Sequence, residues 1–231
     1  FIRLDELFNK TNNLMEEFDK NNEYFVFERL FELMQTASRS DLRIDLMQET
    51  VRQILKFKKK SKTKKNNELI DKLLLVKSDL EKAKINPSYH FGNDKFLQEI
   101  KSRNDSPFGI TKVDFPELQY WIEHESNAFR KNYLYQKLLS FQPIENAIKT
   151  LTQILRASGE SIALEAPLGV YQNKLDPTLR FDLITLTLKK HLKYIPIVSS
   201  NKYAFSVHFN HAVKNIKSDN NVQFKICFGV F

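Results

Sequence analysis

The stretch Phe141–Gln172, FQPIENAIKTLTQILRASGESIALEAPLGVYQ, changes its hydrophobic period partway along, and that change divides the chain. Ala147, Ile148, Leu151, Ile154 and Leu155 recur at the spacing of a helix, which Pro143 can open and Ser158-Gly159 can close. From Ile162 to Val170, Ile162, Leu164, Ala166, Leu168 and Val170 alternate with Ala163, Glu165, Pro167 and Gly169, the two-residue period of a strand with one buried face. Upstream the pattern is mainly helical and downstream mainly β. The expectation is an α+β fold: an N-terminal α-helical domain over residues 1–160, with a short β contribution near 105–115, followed by a C-terminal antiparallel β-sheet domain over 161–231.

Upstream, apolar stripes predict helices from Phe1 to Phe18, from Phe27 to Ala37, and from a Ser40 cap through Leu55. A fourth helix resumes at Leu69 and ends before Asn86-Pro87, which reads as a break; others follow over Asp94–Arg103, from Pro116, and over Ser126–Ser140. Downstream, Leu179–Leu188, Tyr203–Phe209 and Gln223–Phe228 read as strands, with Ser199–Lys202 a turn. In the clearest of them Tyr203, Phe205, Val207 and Phe209 point one way and Ala204, Ser206 and His208 the other. Short antiparallel connections are expected, with one sheet face packed on the helices.

Apolar residues at 42%, among them 19 Phe, are enough for a core without covalent staples. The single cysteine, Cys227, excludes an internal disulfide and a multi-cysteine zinc site, and points to a reducing compartment. No apolar run approaches the ~18–20 residues needed to cross a bilayer. The chain begins at Phe1 already in helical register, so further residues are expected upstream. A net charge of +8 favours an acidic partner, whether a nucleic acid, an anionic membrane or an acidic protein segment, and charge alone does not choose among them.

No enzyme site assembles from the sequence. Five glycines form no phosphate loop, no nucleophile elbow or His-Glu metal motif is present, and Cys227 lacks an activating neighbour. No cofactor is expected. The His208/His211 pair has either a metal role or, more simply, a solvent-facing or basic-pocket one. Lys56–Lys65 holds seven lysines in ten residues and reads either as a nucleic-acid patch or as a solvated helix end and loop, without the aromatic or Arg residues that base contacts favour. Arg3, Arg39 and Arg43 lie near helix ends without an i, i+4 acid, so they are either ordinary surface cations or a shared anion-binding surface suited to carboxylates. Tyr120-Trp121 is either core or contact.

Six segments together carry a resemblance: IRLDELF at the start, RSDLRIDLMQETVRQ, VDFPELQYW, FQPIENAIKTLTQILRASG, APLGVYQ and IVSSNKYAFSVHF. In order and spacing they resemble ZapD, the Z-ring-associated cell division protein family, almost from end to end. The resemblance implies a cytoplasmic, non-enzymatic homodimer at the midcell division ring, which binds the C-terminal tail of FtsZ and bundles its filaments. It implies no membrane and makes a nucleic-acid partner, served by the lysine tract, the alternative. Carried over by motif, the FtsZ-tail-binding residues are Arg3, Arg39, Arg43, Lys95, Gln119, Lys202 and His208. Family members commonly have arginine where Ala204 and His208 stand, and histidine has been used at Gln119, so the β-domain part of this surface is altered here. If Ala204, Ser206 and His208 form an exposed face, His208 supplies a pH-dependent charge there. The family also implies that residues upstream of Phe1 contribute a strand to the β domain.

Overall fold

The computed structural model describes residues 1–19, 22–37, 39–59, 63–83, 87–104, 115–175, 182–201, 203–213 and 216–230. Contacts divide the chain into two compact units, Phe1–Thr152 and Gln153–Phe231. The expected β contribution near 105–115 lies almost wholly outside the described residues.

Among the described residues the first unit is built from nine α-helices: α1 Ile2–Glu16, α2 Glu23–Ala37, α3 Ser40–Lys59, α4 Lys64–Lys82, α5 Pro87–Gly92, α6 Lys95–Asn104, α7 Pro116–His124, α8 Asn127–Leu139 and α9 Gln142–Arg156, whose last turn runs into the second unit. Local chemistry sets several of their starts. Thr63 accepts a hydrogen bond from the Asn66 N–H ahead of α4, and Ser126 accepts one from the Phe129 N–H ahead of α8. Pro116 opens α7, where its missing N–H leaves no bond unmade. Asn86-Pro87, expected as a break, is followed at once by α5, because Pro87 takes the first position of a new helix. An aromatic cluster fills the interior: the Trp121 ring lies 5.6 Å from Phe27, 5.4 Å from Phe96 and 6.0 Å from Tyr133. Tyr120-Trp121 therefore splits, Trp121 buried and Tyr120 exposed and stacked on His124 at 4.4 Å.

One polar cluster joins α6 to α8. Asp94 Oδ2 accepts from the Tyr133 hydroxyl at 2.6 Å and pairs with Lys137 Nζ at 2.6 Å, while Asp94 Oδ1 caps α6 by accepting from the Leu97 N–H at 3.1 Å. Burial alone raises the Asp94 carboxyl, but the bonds from Lys137, Tyr133 and Leu97 outweigh it and hold the group below its ordinary value. A carboxyl with a lowered folded-state pKa adds stability that is complete above its unfolded value and is lost as pH falls through the folded one. Asp94→Asn should therefore lose about 1–2 kcal/mol in urea denaturation at neutral pH. The gap to wild type should close as pH falls from about 4 through the folded-state value, where the native carboxyl also takes up its proton.

The second unit pairs two three-stranded antiparallel sheets. Its strands are β1 Ser161–Ala166, β2 Val170–Lys174, β3 Leu183–Thr187, β4 Tyr194–Ser200, β5 Ala204–His211 and β6 Val222–Gly229, ordered β1-β6-β3 in one sheet and β2-β5-β4 in the other. Phe205, Val207 and Phe209 of β5 share one buried core with Val222, Phe224 and Ile226 of β6. The inner faces of the two sheets thus pack sheet on sheet.

The strand expected from Ile162 to Val170 is two strands. Pro167–Gly169 forms a 3-10 turn with Leu168 at φ 48 and 61% exposed, and the chain passes there from the first sheet to the second. Gly169, at φ +70, takes the left-handed conformation, and a Cβ on it would stand 2.7 Å from the Ser218 Cβ. β4 was not expected. Pro196 sits inside it, which an edge strand tolerates because the missing N–H can face away from the ladder. Of the strand expected over Leu179–Leu188, Leu183–Thr187 is observed and residues 179–181 lie outside the described residues. Tyr203, expected to point inward, is 63% exposed.

Candidate functional site: dispersed cations on two units

In the helical unit, Arg3 is exposed in the first turn of α1 and Lys95 is exposed as the first residue of α6. Each adds positive charge where the helix dipole is already positive. At Lys95 the Asp94 carboxylate offsets part of it through its cap to Leu97. Arg39 is exposed just before α3, and its Nη2 donates to Asp41 Oδ2 at 3.0 Å. That bond, with the help of backbone N–H groups, keeps the Asp41 carboxyl below the ordinary carboxylate range. An incoming carboxylate must compete with Asp41 for this guanidinium.

Arg43 is different. Half-buried, it donates from Nε to the Leu80 carbonyl at 3.0 Å and from Nη2 to the Glu81 carbonyl at 3.4 Å, covering last-turn oxygens of α4. This is the bonding of a side chain that closes a neighbouring helix. Gln119, exposed on α7, donates to Glu123 Oε1 at 3.2 Å. Of these helical-unit residues, Arg39 and Arg43 alone share a helix or its approach; the others fall on α1, α6 and α7.

In the β unit, Ala204, Ser206 and His208 are half-buried on β5, on the side opposite Phe205, Val207 and Phe209. His208 lies between Val170 of β2 and Ile197 of β4 in the ladder, and Ser206 between Gln172 and Ser199. His211 falls on the same strand three residues on, which directs it to the other face, so the two imidazoles do not form a pair. Lys202 lies outside the described residues. Beside it, Asn201 Oδ1 accepts from the Tyr203 and Ala204 N–H groups at 2.8 and 2.9 Å and fixes the turn into β5.

A cavity of ≈ 460 Å³ opens at this end of the sheet, lined among others by Gln172, Lys174, Ser199, Asn201, Ala204 and Ser206. Lys174 is the residue that sequence reading missed. Its Cα partner in the ladder is Ala204, and it is exposed, so a cation stands directly across from that small side chain. Only the break at Pro167–Gly169, which lets β2 pair with β5, puts it there. A second groove, ≈ 670 Å³, is lined by residues of α1, α8 and α9 including Met15, Lys131, Tyr135, Leu139, Glu145 and Lys149, and contains none of the expected site residues.

The lysine tract is more ordered than a loop. α3 continues through Lys56, Lys58 and Lys59, where cations suit the negative end of the helix, and α4 begins at Lys64. Residues 60–62 lie outside the described residues. Among the described residues no group of three or more His, Cys, Asp or Glu gathers as a metal site, and no helix is long and apolar enough to cross a membrane.

A helical unit followed by two packed antiparallel sheets, with Arg3, Arg39, Lys95 and Gln119 exposed and Arg43 and His208 half-buried, defines a two-unit α+β protein. The sequence profile of the family described as ZapD, cell division protein, matches residues 2–208. Cell division protein ZapD of Janthinobacterium sp. (strain Marseille) is 27% identical over 90% of this chain and 84% of its own length. The ZapD proteins of Dechloromonas aromatica, at 27% over 90% of this chain and 84% of its own, and Chromobacterium violaceum, at 28% over 92% and 85%, are similar to the same degree. The chain belongs to the ZapD family of cell division proteins.

Proposed function

We propose that this protein acts without catalysis, as a homodimer that binds the C-terminal tail of FtsZ and cross-links FtsZ filaments at the midcell ring in the cytoplasm. Membership of the ZapD family over residues 2–208 is the observation that carries this reading. The exposure of Arg3, Arg39, Lys95 and Lys174 supports it, because each can reach an acidic peptide without rearrangement of the fold. A two-fold dimer would offer two copies of each cation, and tails repeated along a polymer would raise the local concentration of sites, so weak individual contacts suffice for a lasting cross-link. In the β unit, Lys202 and His208 are the proposed contacts, with Lys174 beside Ala204. Gln119 contributes a neutral contact. The capping bonds of Arg43 favour a structural share for it within that set.

Co-sedimentation with FtsZ filaments, with and without their C-terminal tail, tests the reading. Wild type should pellet only with tailed filaments. Arg3→Ala/Arg39→Ala should weaken tail binding about threefold to tenfold at low ionic strength while thermal stability is kept. Pelleting that ignores the tail, or a strictly monomeric protein at cellular concentration, would overturn it.

A further inference from the structure

The β unit holds much of the chain's excess charge: between Gln153 and Phe231 there are ten Lys and Arg against five Asp and Glu. Part of that excess is gathered on the outer face of the β1-β6-β3 sheet, away from the proposed tail-binding residues of β5. Lys225 is exposed at the middle of β6, with Ala163 of β1 and Thr187 of β3 as its Cα partners on either side. In the next row Gln223 is partnered by Glu165, and Lys189, two residues past the end of β3, lines the same cleft. A cleft of ≈ 560 Å³ is lined by these residues. Ala163 and Thr187 are small enough to leave its floor open. The side chains of Lys189, Lys225 and Glu165 have no hydrogen-bond or ion-pair partner among the described residues. Beyond Lys189 the turn continues with exposed Lys190, His191 and Lys193.

We infer that this cleft is a docking surface for an extended acidic peptide, whose carboxylates pair with Lys189 and Lys225. Charge complementarity selects the occupant. The lysines continue past the cleft along the turn, which suits several carboxylates in series better than one small anion. A nucleic acid fits less well. The lining offers no guanidinium for base edges and no exposed aromatic ring for stacking, since Phe224 is buried. Thr187 and Gln223 supply neutral hydrogen-bonding groups between the charges, as a peptide main chain requires. The surface does not depend on the FtsZ reading, because none of the residues assigned there line it.

Fluorescence anisotropy of the full chain with a labelled peptide of alternating Glu and Ser, at low ionic strength, tests the inference. Lys189→Gln/Lys225→Gln should weaken binding about fivefold, and Glu165→Gln should tighten it about twofold. Lys58→Gln/Lys65→Gln, which removes the same charge from the helical unit, should change nothing. Equal weakening by the Lys58/Lys65 pair would reduce the effect to net charge and overturn the assignment. So would an unchanged affinity in the Lys189/Lys225 variant, or a single-stranded DNA that displaces the peptide through these two lysines and binds more tightly than it. Loss of FtsZ binding alone would leave the cleft standing.

Discussion

Arg130→Ala should cost about 3–5 kcal/mol of folding stability, the largest loss expected from any single truncation in the helical unit. Arg130 is 3% and Glu23 0% exposed, and Arg130 Nε stands 2.7 Å from Glu23 Oε1. The same guanidinium donates from Nη1 to the carbonyls of Ile122 and Glu125 at 2.7 and 2.6 Å, and lies 5.8 Å from the Trp121 ring centre. One side chain thus ties α2, the end of α7 and α8 together. Truncating it takes the guanidinium away from a fully buried carboxylate, which is the expensive half of a buried pair. Glu23→Ala should cost a comparable amount for the mirror reason. Glu23→Leu/Arg130→Met should lose less than either single truncation, because no uncompensated charge remains. Urea denaturation of the four proteins checks this: additive losses would mean that the two groups act separately.

That pair was invisible in the sequence, since nothing local to Glu23 or Arg130 announces a partner on another helix. The elements with local signals were legible. Ser126 and Pro116 mark helix starts, and the Phe205, Val207, Phe209 alternation marks the buried side of β5. Where local signals conflict with tertiary demands the reading failed. Leu168 continues the apolar alternation yet is exposed, because the turn it occupies moves the chain between sheets. Pro196 argues against a strand, but an edge absorbs it. The division of the candidate site follows the same line. Exposed Arg3, Arg39 and Lys95 follow from helix ends that the sequence marks. The capping of α4 by Arg43 depends on how α3 and α4 pack, and the place of Lys174 opposite Ala204 depends on strand register. Sequence periodicity specifies which face a residue takes and says little about which strand will lie beside it.

Gly159→Ala should destabilise the β unit by about 3 kcal/mol, although the change adds one methyl group at an exposed-looking turn. Ser158-Gly159 reads in the sequence as a helix stop, and a stop alone would tolerate alanine at small cost. The structure gives Gly159 a second duty. A Cβ there would collide with the Phe228 carbonyl oxygen and stand 2.7 Å from Cys227 Sγ, both in β6. On the other side of this approach a Cβ at Gly229 would stand 2.7 Å from the Leu155 carbonyl oxygen, and the Val230 N–H donates to Ser158 Oγ at 2.9 Å. The end of α9 therefore lies backbone to backbone against the end of β6, with a glycine on each partner removing the obstructing Cβ. Backbone atoms cannot rotate aside as a side-chain tip can, so the added methyl must push β6 away and disturb its ladders with both β1 and β3. Gly92→Ala is the control: nothing lies within 4 Å of its Cβ position, and the change should be neutral or stabilise by about 0.5 kcal/mol. Because both glycines serve one close approach, Gly159→Ala/Gly229→Ala should lose less than the sum of the single losses. Equal, small effects of Gly159→Ala and Gly92→Ala in urea denaturation would mean that the turn is only a stop, and that β6 does not need this contact to hold its place.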